Sequence, residues 1–193
     1  MTNETKLENR ASFMARFAKQ PQAHQWLIRK SYDEAKNGHG HAKQFRKDGV
    51  TRYFVHPRMV ALYAADKLGI THPTIICSAL KHDCGEDTSI DGNITEGYFE
   101  WQNYAEFINT RAYDKQMAWI IIFMTKPTVD GIDFKSKKEV YNFYINRFKT
   151  VVDSDDEIES ARKKAIFMKM LDRKANLSDM SHLDKSNIEK QIK

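Results

Sequence analysis

The stretch LKHDCGEDT places His82, Asp83, Glu86 and Asp87 side by side. On a helical turn Glu86 falls on the face of His82 and Asp83, and Asp87 lies one turn beyond Asp83. Three carboxylates in so short a segment repel one another, and the C-terminal dipole of a preceding helix adds to the conflict. A cation relieves it. A solvated acidic loop would read the same way in isolation, but the run 74–80, with Ile75, Ile76, Ala79 and Leu80, has the look of a packed helix. His82 and Asp83 then emerge at the edge of a core, where imidazole and carboxylate suit a divalent metal.

Two distant residues can complete such a site. His56 stands in YFVHPRMVALYAA, before a proline able to open the next helix; taken alone, a histidine beside a proline is an ordinary structural residue. Asp172 interrupts an apolar stripe, since Ile158, Ala161, Ala165, Met168, Asp172 and Ala175 recur at spacings of three and four. An ionised carboxylate on a buried stripe needs a basic partner or a metal. A salt bridge to Arg or Lys and a coordinated cation are the two readings.

The elements that must bring these residues together are helices. Few Gly and Pro interrupt the chain, and the apolar spacing between them is helical rather than alternating. The expectation is an all-α, compact multi-helix bundle with helices over 7–19, 22–36, 57–68, 73–83, 112–124, 137–149 and 156–177, and a polar terminal helix over 181–192. Thr71 is the candidate cap of the fourth, with Pro73 in its first turn. Two breaker-rich segments read as loops: 37–50, with Gly38, Gly40 and Gly49 and the cations Lys43, Arg46 and Lys47, and 85–97. Trp26, Trp101 and Trp119 read as core aromatics.

A chain of 193 residues can bury one core, so a single domain is expected over 1–193, with a motif-bearing centre at about 22–180 and loose ends. The longest apolar run, 117–124, is far short of the roughly 20 residues that span a bilayer, so no membrane partner is expected. The charged N-terminus lacks the apolar stretch of a secretory signal, which points to the cytoplasm. Cys77 and Cys84, about 10 Å apart if on one helix, read as reduced thiols. The net charge of +5 comes from scattered basic residues and favours an anionic ligand only weakly. Neither a zinc-finger spacing nor a ribonucleoprotein motif is present, so nucleic acid is disfavoured as a partner. Oligomeric state has no sequence signal.

The order His56, His82-Asp83, Asp172 resembles the H…HD…D pattern of the HD phosphohydrolases. HDCGEDT is similar to the HDxxEDT box of the hydrolase half of the RelA/SpoT homologues. HAKQFRKDG (41–49), YFVHP, Thr125-Lys126 and KMLDRKANL resemble that branch's HxxQxRxxG, YIxHP, TK and KLADRxxN, in the same order over 41–177. Lys81 departs from the pattern, which has an apolar residue before HD, 49–53 is slightly long, and the stretch between Asp87 and Asp172 is expanded. Synthetase and regulatory domains are absent from the chain, as in the single-domain alarmone hydrolases.

The resemblance implies metal ligation by His56, His82, Asp83 and Asp172, with manganese favoured, and a catalytic pair, Glu86 and Asp87, serving the attacking water and the leaving group. It implies nucleotide contacts from Arg46 and Lys47, and from Tyr53, Lys126 and Asn176. The implied reaction is hydrolysis of the 3′-pyrophosphate of (p)ppGpp to GDP or GTP and pyrophosphate. Other HD substrates, (p)ppApp, NADPH or a nucleoside monophosphate, stay open, as does a protein that sequesters a nucleotide or neutralises a partner without turnover.

Overall fold

A computed structural model describes residues 9–46, 48–88, 115–125, 136–149 and 156–178. They form α1 (Arg10–Ala15), α2 (Gln22–His41), α3 (Val55–Leu62), α4 (Pro73–Lys81), the single turn α5 (Cys84–Asp87), α6 (Lys115–Met124), α7 (Lys137–Lys149) and α8 (Asp156–Ser178), with a π-helical turn, Tyr63–Lys67, continuing α3. Among the described residues there is no strand, only an isolated antiparallel bridge between Phe45 and Arg52. The all-α expectation holds. No described helix is long and apolar enough to cross a membrane.

Helix α4 is the axis of the bundle. Every one of its residues is buried, and it touches α2, α3 and α6, while α8 packs on α6 and α3. Helix α6 is buried from Met117 to Met124. Its three consecutive isoleucines are indifferent helix formers, but full burial of each contributes about 2 kcal/mol, well above a propensity deficit of a few tenths. The C-terminal carbonyls of α6 are met from α7: Tyr144 Oη donates to Met124 O (2.9 Å) and Arg147 Nη2 to Ile122 O (3.0 Å). A cation at a helix C-terminus also complements the dipole.

Four local expectations are corrected. Helix α2 does not stop before a loop at 37 but runs through Gly38 and Gly40 to His41. Gly38 and His39 are buried there, and tertiary burial offsets the roughly 1 kcal/mol that each glycine costs a helix. The stop comes at Lys43, which adopts the left-handed conformation usually filled by glycine (φ 52°). Its N–H reaches Gly40 O (3.1 Å) and the Gln44 N–H reaches His39 O (3.2 Å), a Schellman closure without the glycine that would announce it.

Thr71 does not cap α4. His72 occupies the cap position with no side-chain bond, and the Thr71 hydroxyl accepts from Gln20 Nε2 at 2.7 Å instead. Helix α3 opens at Val55, two residues before Pro57, so His56 lies inside its first turn. Trp26 is 54% exposed and carries Lys30 over its ring at 5.0 Å, whereas Trp119 is in the core as expected. Trp101 and the proposed helix at 181–192 lie outside the described residues. Cys77 and Cys84 are buried and form no disulfide.

Candidate metal centre

Three helical segments converge on one point. His56 comes from the first turn of α3, His82 and Asp83 from the link between α4 and α5, and Asp172 from the inward stripe of α8. The stripe is buried as its periodicity requires, with Ala161, Ala165, Met168, Asp172 and Ala175 all inside.

His56 Nε2 lies 3.0 Å from Asp172 Oδ1 and 3.7 Å from Asp83 Oδ2, and His82 Nε2 lies 3.1 Å from Asp83 Oδ2 and 3.8 Å from Asp172 Oδ1. Ligands held at about 2.1 Å by one ion stand about 3.0–3.4 Å apart, so these spacings need only small adjustments.

His56, His82 and Asp172 form a buried group whose ligand atoms all lie within 4.8 Å of one another and which can hold a metal ion. Asp83 stands beside it, half-buried, its Oδ2 facing both imidazoles.

The tautomers bear on the fit. His82 Nδ1 lies 2.9 Å from the Ala79 carbonyl and must donate to it. In its neutral form the ring would therefore present a lone pair at Nε2, a buried atom that faces Asp83 Oδ2 at 3.1 Å. In the metal-free protein that nitrogen holds a proton toward Asp83, and an ion would take the proton's place. His56 Nε2 donates to Asp172 Oδ1 and leaves Nδ1 buried without a partner, so ligation by Nε2 requires its proton to shift to Nδ1.

Around this centre the second carboxylate oxygen of Asp172 accepts from Lys169 Nζ (2.8 Å), which also lies over the Tyr144 ring. Asp172 Oδ1 accepts from Asn176 Nδ2 (2.8 Å), and Asn176 Oδ1 accepts from Arg46 Nη2 (3.0 Å). Asn176 is thus engaged between a candidate ligand and a candidate nucleotide-binding cation. Tyr53 Oη donates to Asp83 Oδ2 at 2.9 Å. Asp87 closes α5 with its N–H on Asp83 O, and its carbonyl accepts from Gln44 Nε2 at 2.8 Å. Lys47, Lys126 and the side chain of Glu86 lie outside the described residues.

Charge is balanced within the cluster. Burial opposes a proton on His82, but the adjoining Asp83 carboxylate outweighs it and raises the imidazole to about 9, helped by Asp172 and the Ala79 carbonyl. Burial lowers His56 despite its bond to Asp172. Burial would raise both carboxylates; instead the His82 charge holds Asp83 well below the usual range, and His56, His82 and Lys169 do the same for Asp172. Lys169 in turn is raised by Asp172, against the effect of burial.

No family model matches the chain, and no curated protein matches it.

Residues that sequence reasoning left without a role are also here. Lys169, three positions before Asp172, has an i,i+3 spacing that could have revealed it. Gln44 is the glutamine of the HxxQxRxxG resemblance, whereas His39 had no such signal. Lys81, the departure from the family pattern, is buried, and its Nζ lies 3.3 Å from Glu34 Oε2; the pair lets a charged residue occupy a helix whose other members are core.

The balance makes opposite predictions for the metal-free and metal-loaded protein. At pH 7 His82 is protonated, so binding a divalent ion should release about one proton, and affinity should rise about tenfold per pH unit until it levels near pH 9. A histidine raised from 6.5 in the unfolded chain to about 9 in the native one contributes stability that is complete below 6.5 and lost as pH rises through 9. The metal-free protein should therefore melt lower at pH 9.5 than at pH 7. Calorimetric titration in buffers of different ionisation enthalpy counts the proton; a count of zero at pH 7 would refute a charged His82 in the free site.

Proposed function

We propose that this chain is a metal-dependent phosphohydrolase that removes the 3′-pyrophosphate of (p)ppGpp in the cytoplasm, with manganese as its ion. The observation that carries this reading is the meeting of His56, His82 and Asp172, from elements up to 116 residues apart in sequence, in one buried group, with Asp83 half-buried against both imidazoles and Arg46 and Asn176 in a hydrogen-bonded line beside it. The family resemblance of the same residues supplies the reaction.

A divalent ion bound there would orient and acidify water and offset charge on a phosphoryl oxygen. The chain's own groups do the rest. Lys169 stabilises the ionised form of Asp172 and fixes its rotamer through Oδ2, leaving Oδ1 toward the imidazoles. Arg46, with its planar guanidinium, is suited to pair with phosphate or to stack its plane on a base. Glu86 accepts the proton of the attacking water as oxygen bonds to the phosphorus on the ribose 3′ oxygen. The bond from phosphorus to that oxygen breaks, the departing 3′ oxygen takes up, by way of Asp87, the proton that Glu86 removed from water, and pyrophosphate is released together with a nucleoside 5′-diphosphate or triphosphate.

The test is incubation of purified protein and Mn2+ with guanine and adenine 3′-pyrophosphate nucleotides, nucleoside monophosphates and NADPH, with the products identified. Pyrophosphate and GDP or GTP from the guanine substrates are expected. Binding of those nucleotides without products would replace the enzyme by a sequestering protein, and turnover of the adenine compounds alone would change the base.

A further inference from the structure

Asp83 is the candidate ligand with the least to hold it in place. Its side chain is 19% exposed, against 8% for Asp172 and 2% or less for the two imidazoles, and it sits past the end of α4, where the helix dipole disfavours a negative charge. Asp172 has Lys169 and Asn176 to orient it whatever happens at the imidazoles. Asp83 has contacts to His56 and His82 through nitrogens that an ion would claim, and one hydrogen bond that an ion would leave intact, from Tyr53 Oη to Oδ2 at 2.9 Å.

Tyr53 is in turn firmly seated. Its ring lies 4.8 Å from the His39 ring and 6.1 Å, edge-on, from His56, with the Arg46 guanidinium 5.5 Å from its centroid. Its N–H bonds to Gln44 O (3.1 Å). The Gln44 side chain ties the same segment down twice, its Oε1 to His39 Nδ1 (2.5 Å) and its Nε2 to Asp87 O (2.8 Å). His39 is itself buried. The hydroxyl is thus delivered to Asp83 by a ring that packing immobilises, and it is occupied there rather than turned toward a ligand.

We propose that Tyr53 is a positioning residue of the metal centre and not a nucleotide contact: its hydroxyl holds the Asp83 carboxylate toward His56 and His82, and the His39–Gln44 pair holds Tyr53. The inference rests on the metal centre being real, and departs from the substrate-contact role that the family resemblance implies for Tyr53. Hydrogen-bond partners of metal ligands are worth about ten- to hundredfold in metal affinity when removed.

The experiment is calorimetric titration of the metal-free protein with Mn2+ for the wild type, Tyr53→Phe, Asp83→Asn and the double variant, with circular dichroism to verify the fold. Tyr53→Phe should weaken Mn2+ binding about ten- to hundredfold, keep the helical spectrum, and recover its turnover at excess Mn2+ with an unchanged KM. Because the hydroxyl acts through Asp83, the double variant should bind Mn2+ no more weakly than Asp83→Asn alone. Wild-type affinity in Tyr53→Phe, or additive losses in the double variant, overturns the inference while leaving the metal centre standing, and a raised KM with unchanged metal affinity returns Tyr53 to the nucleotide. A wild-type protein that binds no Mn2+ overturns the metal centre and the inference together. Should Tyr53→Phe fail to fold, Gln44→Leu, which cuts the ties to His39 and Asp87, must lower Mn2+ affinity by severalfold for the inference to stand.

Discussion

An Asp172→Ala protein is expected to lose divalent-metal affinity by about two to three orders of magnitude, and hydrolysis with it. Asp172 supplies the one carboxylate oxygen of the buried three-donor group, and in the metal-free protein it is the partner of three other side chains, His56, Lys169 and Asn176. Removing one member of a buried charged pair costs about 3–5 kcal/mol because the other is left uncompensated. The Lys169 side chain keeps 26% exposure, and water reaching it places the stability loss at the low end, about 3 kcal/mol. Metal titration and a thermal melt separate the two effects. Asp172→Asn keeps the shape and most of the hydrogen bonds, so it should lose metal while melting closer to the wild type. An alanine variant with undiminished metal affinity removes Asp172 from the ligand set and leaves it as the partner of His56, Lys169 and Asn176 only.

The second large effect is expected at Glu86. Glu86→Gln preserves size and removes a proton acceptor; if Glu86 deprotonates the attacking water, turnover should fall by about two to four orders of magnitude, the scale of general acid–base catalysis. Metal affinity should stay near the wild-type value. Substrate affinity should hold or rise, since one negative charge beside an anionic phosphate is gone. Asp83→Asn should do the reverse and cost metal first, so metal content and single-turnover rate measured on both variants tell a ligand from a proton acceptor. Near-normal turnover in Glu86→Gln would move the role to Asp87.

The helical architecture was legible because it depends on spacing along the chain. The stripe of α8 marks its buried face at intervals of three and four, and the exception on that stripe, Asp172, stands out for the same reason: an ionised group among apolar ones is costly wherever the helix packs. The adjacency of His82 and Asp83 at the end of an apolar run was equally visible. These are local facts, and local sequence determines them.

What the chain order could not determine was distance in space. That Asp172 Oδ1 comes within 3.0 Å of His56 Nε2 depends on α8 packing against α3; the spacing alone left a salt bridge and a metal ligand as equal readings, and Lys169 shows that a salt bridge is present as well. The end of α2 departs from the sequence expectation for a related reason. Two glycines mark a stop by their intrinsic cost, but burial of Gly38 and His39 outweighs that cost, and the left-handed residue that closes the helix is Lys43. Tyr53 carries no mark in the sequence of serving Asp83, thirty residues on. Periodicity and residue type fix which face of a helix is buried; which side chains then meet across that interior is set by how the helices pack, because the energies that decide it come from burial and pairing between residues far apart in the chain.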